Sequence, residues 1–236
     1  MIGSSFARLY RFAAAALLLG LAGGCGALRP TAAAQPAYYS LDGARFDATA
    51  AKPPATTTPA GPTLIVNPPH AASGFDSQRI IYVRAAHQLE YFARSEWVDT
   101  PARMLAPLIV SALETSGAFH AVVLTPSAAA GDLRLDTEIV RLQHDFSSQP
   151  SQIRFTLRAY IVDSSTREVL AWREFDEHVA ATSEDPYGGV VAANRAVRNV
   201  LKQLADLAAE TARRWQLTGQ PGEQQTDQQP HSPKRR

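Results

Sequence analysis

The sequence has few of the residues on which several classes of protein depend. A single cysteine occurs among its 236 residues, which excludes an intrachain disulfide framework and a cysteine-rich zinc site. The 23 basic residues are offset by 22 acidic ones, so the chain lacks the basic excess with which nucleic-acid-binding proteins neutralise phosphates. What remains is a nearly neutral chain whose length suits one globular domain with appendages, or at most two small domains.

Local motifs of catalysis and metal binding are also absent from the sequence. The six histidines form no His-Glu-x-x-His pair or other helical metal spacing. No G-x-S-x-G elbow indicates a serine hydrolase, and neither a phosphate-binding loop nor a dinucleotide glycine motif is present. Adjacent acids at 176–177 and 184–185 are typical of a solvated surface. We therefore predict that the protein is not an enzyme and has no metal site.

The first 24 residues have the pattern of a signal peptide. Arg8 and Arg11 supply a positive amino-terminal region, and residues 12–21 form an apolar run. Small residues at 22–24 then provide a site for a signal peptidase. The apolar run is far shorter than the roughly 20 residues that a transmembrane helix needs. The segment ends at Cys25, the single cysteine.

The sequence Leu-Ala-Gly-Gly-Cys at 21–25 resembles a bacterial lipobox, although Leu21 lies four residues before the cysteine and Ala22 occupies the usual leucine position. The resemblance implies cleavage before Cys25, which would carry diacylglycerol and an N-acyl lipid, with no other cofactor. The alternative is an ordinary secretory signal followed by a buried free cysteine. Gly26 stands where an aspartate would resemble an inner-membrane retention signal. The expected location is therefore the periplasmic face of the outer membrane of a Gram-negative bacterium.

Composition divides the mature chain into a tether, a domain and a tail. Residues 25–62 are rich in Ala, Pro and Thr and cannot bury enough surface to fold alone. They enclose a short island with strand character at 38–42, which is either an edge strand of the domain or part of a long linker. The domain is expected at 63–217, and the polar residues 218–236 are expected to be disordered. Removing residues 1–24 removes two arginines and no acid, so the formal charge changes from +1 to −1.

Hydrophobic periodicity predicts an α+β domain in which a mainly antiparallel sheet is packed by two helices. Strands are expected at 64–66, 80–83, 87–97, 119–124, 132–146, 152–161 and 168–179, with a bulge after Ile139 where the alternation changes phase. The first helix begins at Pro101 after Thr100 and ends near Gly117, unless Pro107 kinks it or moves its start towards Ala106. The second helix spans about 186–215 and has one apolar stripe along its length.

A set of ordered hydrophobic and aromatic positions resembles the ABC-type transport auxiliary lipoprotein family, which includes paraquat-inducible-type lipoproteins. The resemblance covers roughly 36–215 and rests on the segments 38–41, 79–84, 87–92 and 117–119, together with single positions at Trp97, Pro101, Leu105, Leu113 and Val122. It implies a non-catalytic accessory protein that accompanies an ABC permease, its ATPase and a periplasmic MCE-domain protein that handles lipid. Some relatives form rings, so a homo-oligomer is a further expectation.

Four residues are candidates for the surface that meets the partner, namely Tyr91, Phe92, Trp97 and Arg103. Aromatic side chains and arginine supply much of the binding energy at protein interfaces. The alternative is that the aromatic members belong to the hydrophobic core. A competing function is a stand-alone envelope lipoprotein that binds peptidoglycan or assists outer-membrane assembly, because it would have the same lipobox, tether and small domain.

Overall fold

The computed structural model describes residues 35–42 and 61–219. The predicted signal peptide, Cys25, most of the tether and the tail from residue 220 lie outside the described residues. The strands are β1 (Ala37–Tyr39), β2 (Thr63–Val66), β3 (His70–Ala71), β4 (Arg79–Val83), β5 (Glu90–Trp97), β6 (Ala121–Leu124), β7 (Leu133–Asp145), β8 (Gln152–Asp163) and β9 (Val169–Ala180). The helices are α1 (Pro101–Thr115) and α2 (Pro186–Leu217).

Three long antiparallel strands, β7, β8 and β9, form the centre of the fold. Their register places Leu135 opposite Ile161 and Leu157 opposite Phe175. All four side chains are buried, because alternate residues of a strand point to the same face. The predicted bulge is confirmed by a register shift between Ile139 and Arg141 on β7. The bulge lets the strand continue to bury its side chains after the change of phase.

Short parallel strands complete the sheet on the other side of β7. Strands β2, β3 and β4 pair with successive parts of β7, all in the parallel direction. Beyond them, β6 is parallel to β2, β5 is antiparallel to β4 and β1 is parallel to β5 at a sheet edge. The α+β class is therefore confirmed. The long antiparallel strands hold most of the paired residues, while the sheet as a whole is mixed.

Helix α1 begins at Pro101 and continues through Pro107, so the alternative start near Ala106 is wrong. Proline is favourable in the first turn, because the backbone N–H that it lacks would have no partner within the helix there. The backbone N–H of Met104 donates to the carbonyl of Thr100 at 3.1 Å and closes that turn. The helix ends just before Gly117, whose φ of 64° is the left-handed conformation that glycine adopts without strain.

Helix α2 packs across β8 and β9 and contacts α1. Asp185 caps its amino terminus by accepting a hydrogen bond from the N–H of Gly188 at 2.7 Å. The predicted apolar stripe faces the sheet, and Val197, Leu201 and Leu204 are fully buried. Both helices share one hydrophobic core with the inward side chains of the sheet. The opposite sheet face, called here the outer face, carries the polar register positions of β7, β8 and β9.

Candidate functional site

Charged side chains on the outer face neutralise one another across the strands. Arg158 of β8 lies between Glu138 of β7 and Glu174 of β9, which are its partners in the sheet register. One guanidinium nitrogen is 3.1 Å from a Glu138 oxygen, and another is 2.7 Å from a Glu174 oxygen. Because these side chains are about one-third exposed or more, the pairs add little stability. Each of the three charges has a partner, although the group as a whole keeps a net charge of −1.

A second polar cluster follows along the same strands. The Thr156 hydroxyl donates to Asp176 at 2.6 Å, and the His178 ring lies 3.1 Å from the other Asp176 oxygen. Burial alone would raise the pKa of Asp176, but the hydrogen bonds from Thr156 and His178 outweigh it and hold that pKa below its ordinary value. The carboxylate therefore stays ionised and its bonding capacity is used within the sheet.

An exposed aromatic patch interrupts this charged surface near the β8–β9 turn. Trp172 is 63% exposed and stacks on Tyr160, with 6.4 Å between ring centroids. Val169, which is also about half exposed, lies on the same face. We call these three residues the Trp172 patch. The sequence pattern alone did not single out Trp172. It is three residues from the inward-facing Phe175, and an odd number of residues along a strand places two side chains on opposite faces, so this spacing indicates that Trp172 points outward.

Two of the four predicted surface residues are exposed, but they lie on different elements. Tyr91 on β5 is 51% exposed, and the guanidinium carbon of Arg79 lies 4.1 Å from the centre of its ring. Arg103 on α1 is exposed and forms an ion pair of 3.4 Å with Asp99, four residues before it. Neither the ring of Tyr91 nor the charged group of Arg103 is buried in the core. Each therefore stays a candidate for partner contact.

The other two predicted residues belong to the interior, which corrects their assignment to a partner surface. Trp97 is only 3% exposed and is part of the main core. Phe92 is half-buried and packs on Tyr82 at 4.6 Å between ring centroids. Its position next to Tyr91 explains the difference, because adjacent strand residues point to opposite faces. The four candidates therefore do not form a single surface.

A buried histidine lies beneath the amino terminus of α2. His144 is fully buried, and its Nε2 atom lies 2.8 Å from the Ser151 hydroxyl. Its Nδ1 atom has no hydrogen-bond partner. Burial lowers the pKa of this histidine despite the nearby carboxylates of Glu184 and Asp185. Ser151 is also fully buried, so this pair is sealed from any substrate and acts in packing.

Residues 35–42 and 61–219 contain neither a metal-binding cluster nor a membrane-spanning helix. No group of three or more His, Cys, Asp or Glu side chains in these ranges could hold a metal ion. Neither helix in them is long and apolar enough to cross a membrane.

Together, the mixed sheet, the two helices on one face and the open charged face define a small α+β domain with large accessible surfaces. The sequence matches the family model described as the ABC-type transport auxiliary lipoprotein component over residues 39–205. This match covers well over half of the chain. The protein therefore belongs to that family, and the expected family is confirmed. Membership indicates an accessory role in transport and a lipoprotein character.

Two of the similar solved structures share the fold at low sequence identity. Protein XCC0632 from Xanthomonas campestris is 24% identical, with a TM-score of 0.63, over 69% of this chain and 92% of that one. An uncharacterised protein is 11% identical, with a TM-score of 0.56, over 74% and 99% of the two chains. The PelC dodecamer from Paraburkholderia phytofirmans gives 12% identity and a TM-score of 0.39, over 61% and 88%. The comparison with curated proteins found no match.

Proposed function

We propose that this protein is a non-catalytic outer-membrane lipoprotein that serves an ABC/MCE-type lipid transport system. In this role it docks a periplasmic MCE-domain partner at the membrane. The observation that carries the proposal is the family match over residues 39–205, since the family consists of auxiliary lipoproteins of ABC-type transport. The His144–Ser151 pair is buried, so this pair does not itself form a catalytic site for a substrate.

The anchor is the acylated Cys25, with no further cofactor. Each acyl methylene buried in the bilayer contributes about 0.8 kcal/mol, so several chains hold a protein firmly. The formal charge of −1 after removal of residues 1–24 adds no general attraction to anionic membranes. Replacing Cys25 with serine should move the protein from the outer-membrane fraction to the soluble periplasmic fraction. Retention in the membrane fraction would contradict the anchor.

The Trp172 patch is the best-supported docking surface for the MCE partner. A tryptophan that is 63% exposed on a sheet face has a large apolar area that a partner can cover. The neighbouring charges are already paired, as Arg158 is with Glu138 and Glu174. A partner therefore gains apolar burial from Trp172 without having to compensate those charges. Tyr91 and Arg103 are secondary candidates at separate positions.

Co-purification with the MCE-domain protein from neighbouring reading frames tests this assignment. The Trp172→Ala variant should reduce capture roughly 10-fold or more, in line with interface tryptophans. Leu124→Ala is the matched control, because Leu124 is also an exposed apolar residue but lies on β6 at another part of the sheet. Unchanged capture by a folded Trp172→Ala variant would remove the patch from the docking surface.

The competing proposal is a stand-alone lipoprotein that binds peptidoglycan or assists outer-membrane assembly. Neighbouring genes separate the two, since a permease, an ATPase and an MCE-domain protein support transport, whereas cell-wall enzymes favour the rival. Co-sedimentation with purified peptidoglycan sacculi provides a direct test. Strong binding to sacculi together with no capture of an MCE-domain protein would replace the transport proposal with the rival.

A further inference from the structure

A groove of about 430 Å³ lies between β1 and the first turns of α2. Its walls include Tyr38 on β1 and Tyr187 on α2, and Arg195 and Arg198 lie farther along the helix. These residues were not among the predicted site residues. The groove lies within the domain at the edge of the sheet formed by β1, and β6 lies at the other end of the strand order.

Specific contacts hold the two walls of the groove together. The side-chain oxygen of Asn194 on α2 accepts a hydrogen bond from the Asp42 N–H at 2.9 Å. The amide nitrogen of the same side chain donates to the Ser40 carbonyl at 3.1 Å. Leu41, between these two residues, is buried in the core. The segment after β1 is therefore fastened to the helix, and the groove is formed before any ligand arrives.

Two exposed tyrosines give the groove an amphipathic rim. Tyr38 is 60% exposed and Tyr187 is 61% exposed, so neither ring is used in the core. Tyrosine has an apolar ring and a polar hydroxyl, and this combination favours the boundary between a bilayer and water. A pair of such rings on opposite walls is suited to contact with lipid head groups.

Two arginines in the groove carry positive charge that is not paired within the described part of the chain, unlike the charge of Arg158 on the outer face. Arg195 and Arg198 are both exposed, and neither forms an ion pair with any residue in the ranges 35–42 and 61–219. Asp42 is the acidic residue that lines the groove. Two guanidinium groups against one carboxylate leave an excess of positive charge, which complements a phosphate.

The length of chain between the anchor and β1 limits how far the groove can lie from the membrane. Strand β1 begins at Ala37, and residues 26–36 separate this strand from Cys25. At about 3.5 Å per residue these eleven residues reach at most about 40 Å. The anchor therefore keeps the start of β1, which forms one wall of the groove, within about 40 Å of the membrane. This step rests on the acylation of Cys25 in the proposed function.

We propose that the groove binds anionic phospholipid head groups of the membrane that holds the anchor. Arg195 and Arg198 contact the lipid phosphates, while Tyr38 and Tyr187 lie at the level of the head groups. The contact orients the domain on the membrane and leaves the Trp172 patch available to a protein partner. A basic residue near an anionic membrane strengthens binding about 5-fold, so the two arginines together should contribute roughly 25-fold.

The test uses the full mature lipoprotein in vesicles of phosphatidylethanolamine, with or without one-quarter phosphatidylglycerol. A polarity-sensitive fluorophore is placed on Val191→Cys inside the groove, or on Ala129→Cys in the exposed loop after β6 as the control position. The groove label should shift to the blue only in vesicles that contain phosphatidylglycerol. The control label should not respond, and equal responses from both labels would overturn the proposal.

Charge variants identify the groups responsible. The Arg195→Gln/Arg198→Gln variant should need roughly 25-fold more phosphatidylglycerol for the same shift. Arg167→Gln/Arg213→Gln removes the same charge from exposed positions outside the groove and should behave like the parent protein. Equal loss in both double variants would show a general charge effect and would overturn the specific site.

Further outcomes separate this proposal from its alternatives. A shift caused by inorganic phosphate without vesicles would indicate a free-anion site, and a shift that depends on protein density without phosphatidylglycerol would indicate contact between copies. Either result would overturn lipid binding. If Cys25 proves unacylated, the proposed anchor fails, and the labelled chain carrying Cys25→Ser is titrated with the same vesicles. If the groove binds anionic lipid, the groove label on this variant should still shift to the blue with vesicles that contain phosphatidylglycerol, at a higher lipid concentration. The absence of that shift would overturn the groove proposal.

Discussion

Asp163 joins the β8–β9 turn to the end of α2, and this junction allows a quantitative prediction. One carboxylate oxygen accepts hydrogen bonds from the Ser165 hydroxyl at 2.6 Å, the Ser165 N–H at 2.8 Å and the Thr166 N–H at 2.9 Å. The other accepts from the indole N–H of Trp215 at 2.7 Å. The Ser165 hydroxyl is the largest of the causes that hold the pKa of Asp163 well below its ordinary value.

Asp163→Asn is the informative change because it retains one carbonyl oxygen for the turn. The new amide NH₂ then faces the indole N–H of Trp215, so two donors meet. A hydrogen bond to a charged group contributes about 1.5–3 kcal/mol, and we expect the variant to lose about 2 kcal/mol of unfolding free energy at pH 7. Trp215→Phe should remove the same bond. In the double variant the two losses should overlap, giving a coupling energy of about 1.5–3 kcal/mol.

Urea unfolding of the mature protein in a mild detergent, followed by circular dichroism, measures this coupling. The lowered pKa also fixes the direction of the pH effect. The stabilisation from ionised Asp163 is present above its ordinary pKa of 3.8 and is lost as the pH falls below that value. The parent protein should therefore lose more stability in acid than Asp163→Asn does. Losses that add within about 0.5 kcal/mol in the double variant would refute the direct link.

Further predictions concern the core and can be measured by the same unfolding assay. A Cβ at Gly189 would lie 2.5 Å from the buried His144 ring, so Gly189→Ala should lower the unfolding free energy by about 1–3 kcal/mol through overpacking. Gly117 has open space around it but a φ of 64°, so Gly117→Ala should lower it by only about 1 kcal/mol. Equal losses in the two variants would contradict the clash at Gly189. The pKa of the buried His144 lies below its ordinary value of 6.5, so on acidification this histidine is protonated in the unfolded state at a higher pH than in the folded state. The stability of the protein should therefore fall as the pH drops below 6.5. The fall should be smaller in His144→Gln. Phe155→Ala at the fully buried centre of β8 should cost about 3–5 kcal/mol, whereas Trp172→Ala should change stability by less than about 1 kcal/mol.

Local periodicity was sufficient to predict the parts of the fold that depend on neighbouring residues. The alternation along β8, the phase change after Ile139 and the apolar stripe of α2 all correspond to elements of the structure. The parallel pairing of β2, β3 and β4 with β7 could not be predicted in the same way. Those strands are distant from β7 in sequence, and tertiary packing determines their partners.

The candidate site was less predictable because residue type does not reveal which face a residue occupies. Tyr91 and Phe92 are adjacent aromatics, and the strand necessarily sends one outward and the other inward. Tryptophan is a residue type that is common at protein interfaces, yet Trp97 is buried in the core. Trp172 is exposed because β9 places it in register with Tyr160 on the outer face. Its role as a candidate depends on that pairing, which requires the structure.

The two proposed binding surfaces differ in charge compensation, so ionic strength should separate them. At the Trp172 patch, the nearby Arg158 is already neutralised by carboxylates within the sheet, and binding there depends on apolar burial. In the groove, Arg195 and Arg198 contact lipid phosphates from exposed positions. Such attraction is screened as the Debye length falls from about 10 Å at 0.1 M salt to about 3 Å at 1 M. Raising the salt over this range should therefore abolish the groove label's response while capture of the MCE-domain partner changes little. If both signals decline in parallel, then either electrostatic attraction also drives partner docking or the two surfaces act as one, and the division of roles between the patch and the groove is wrong.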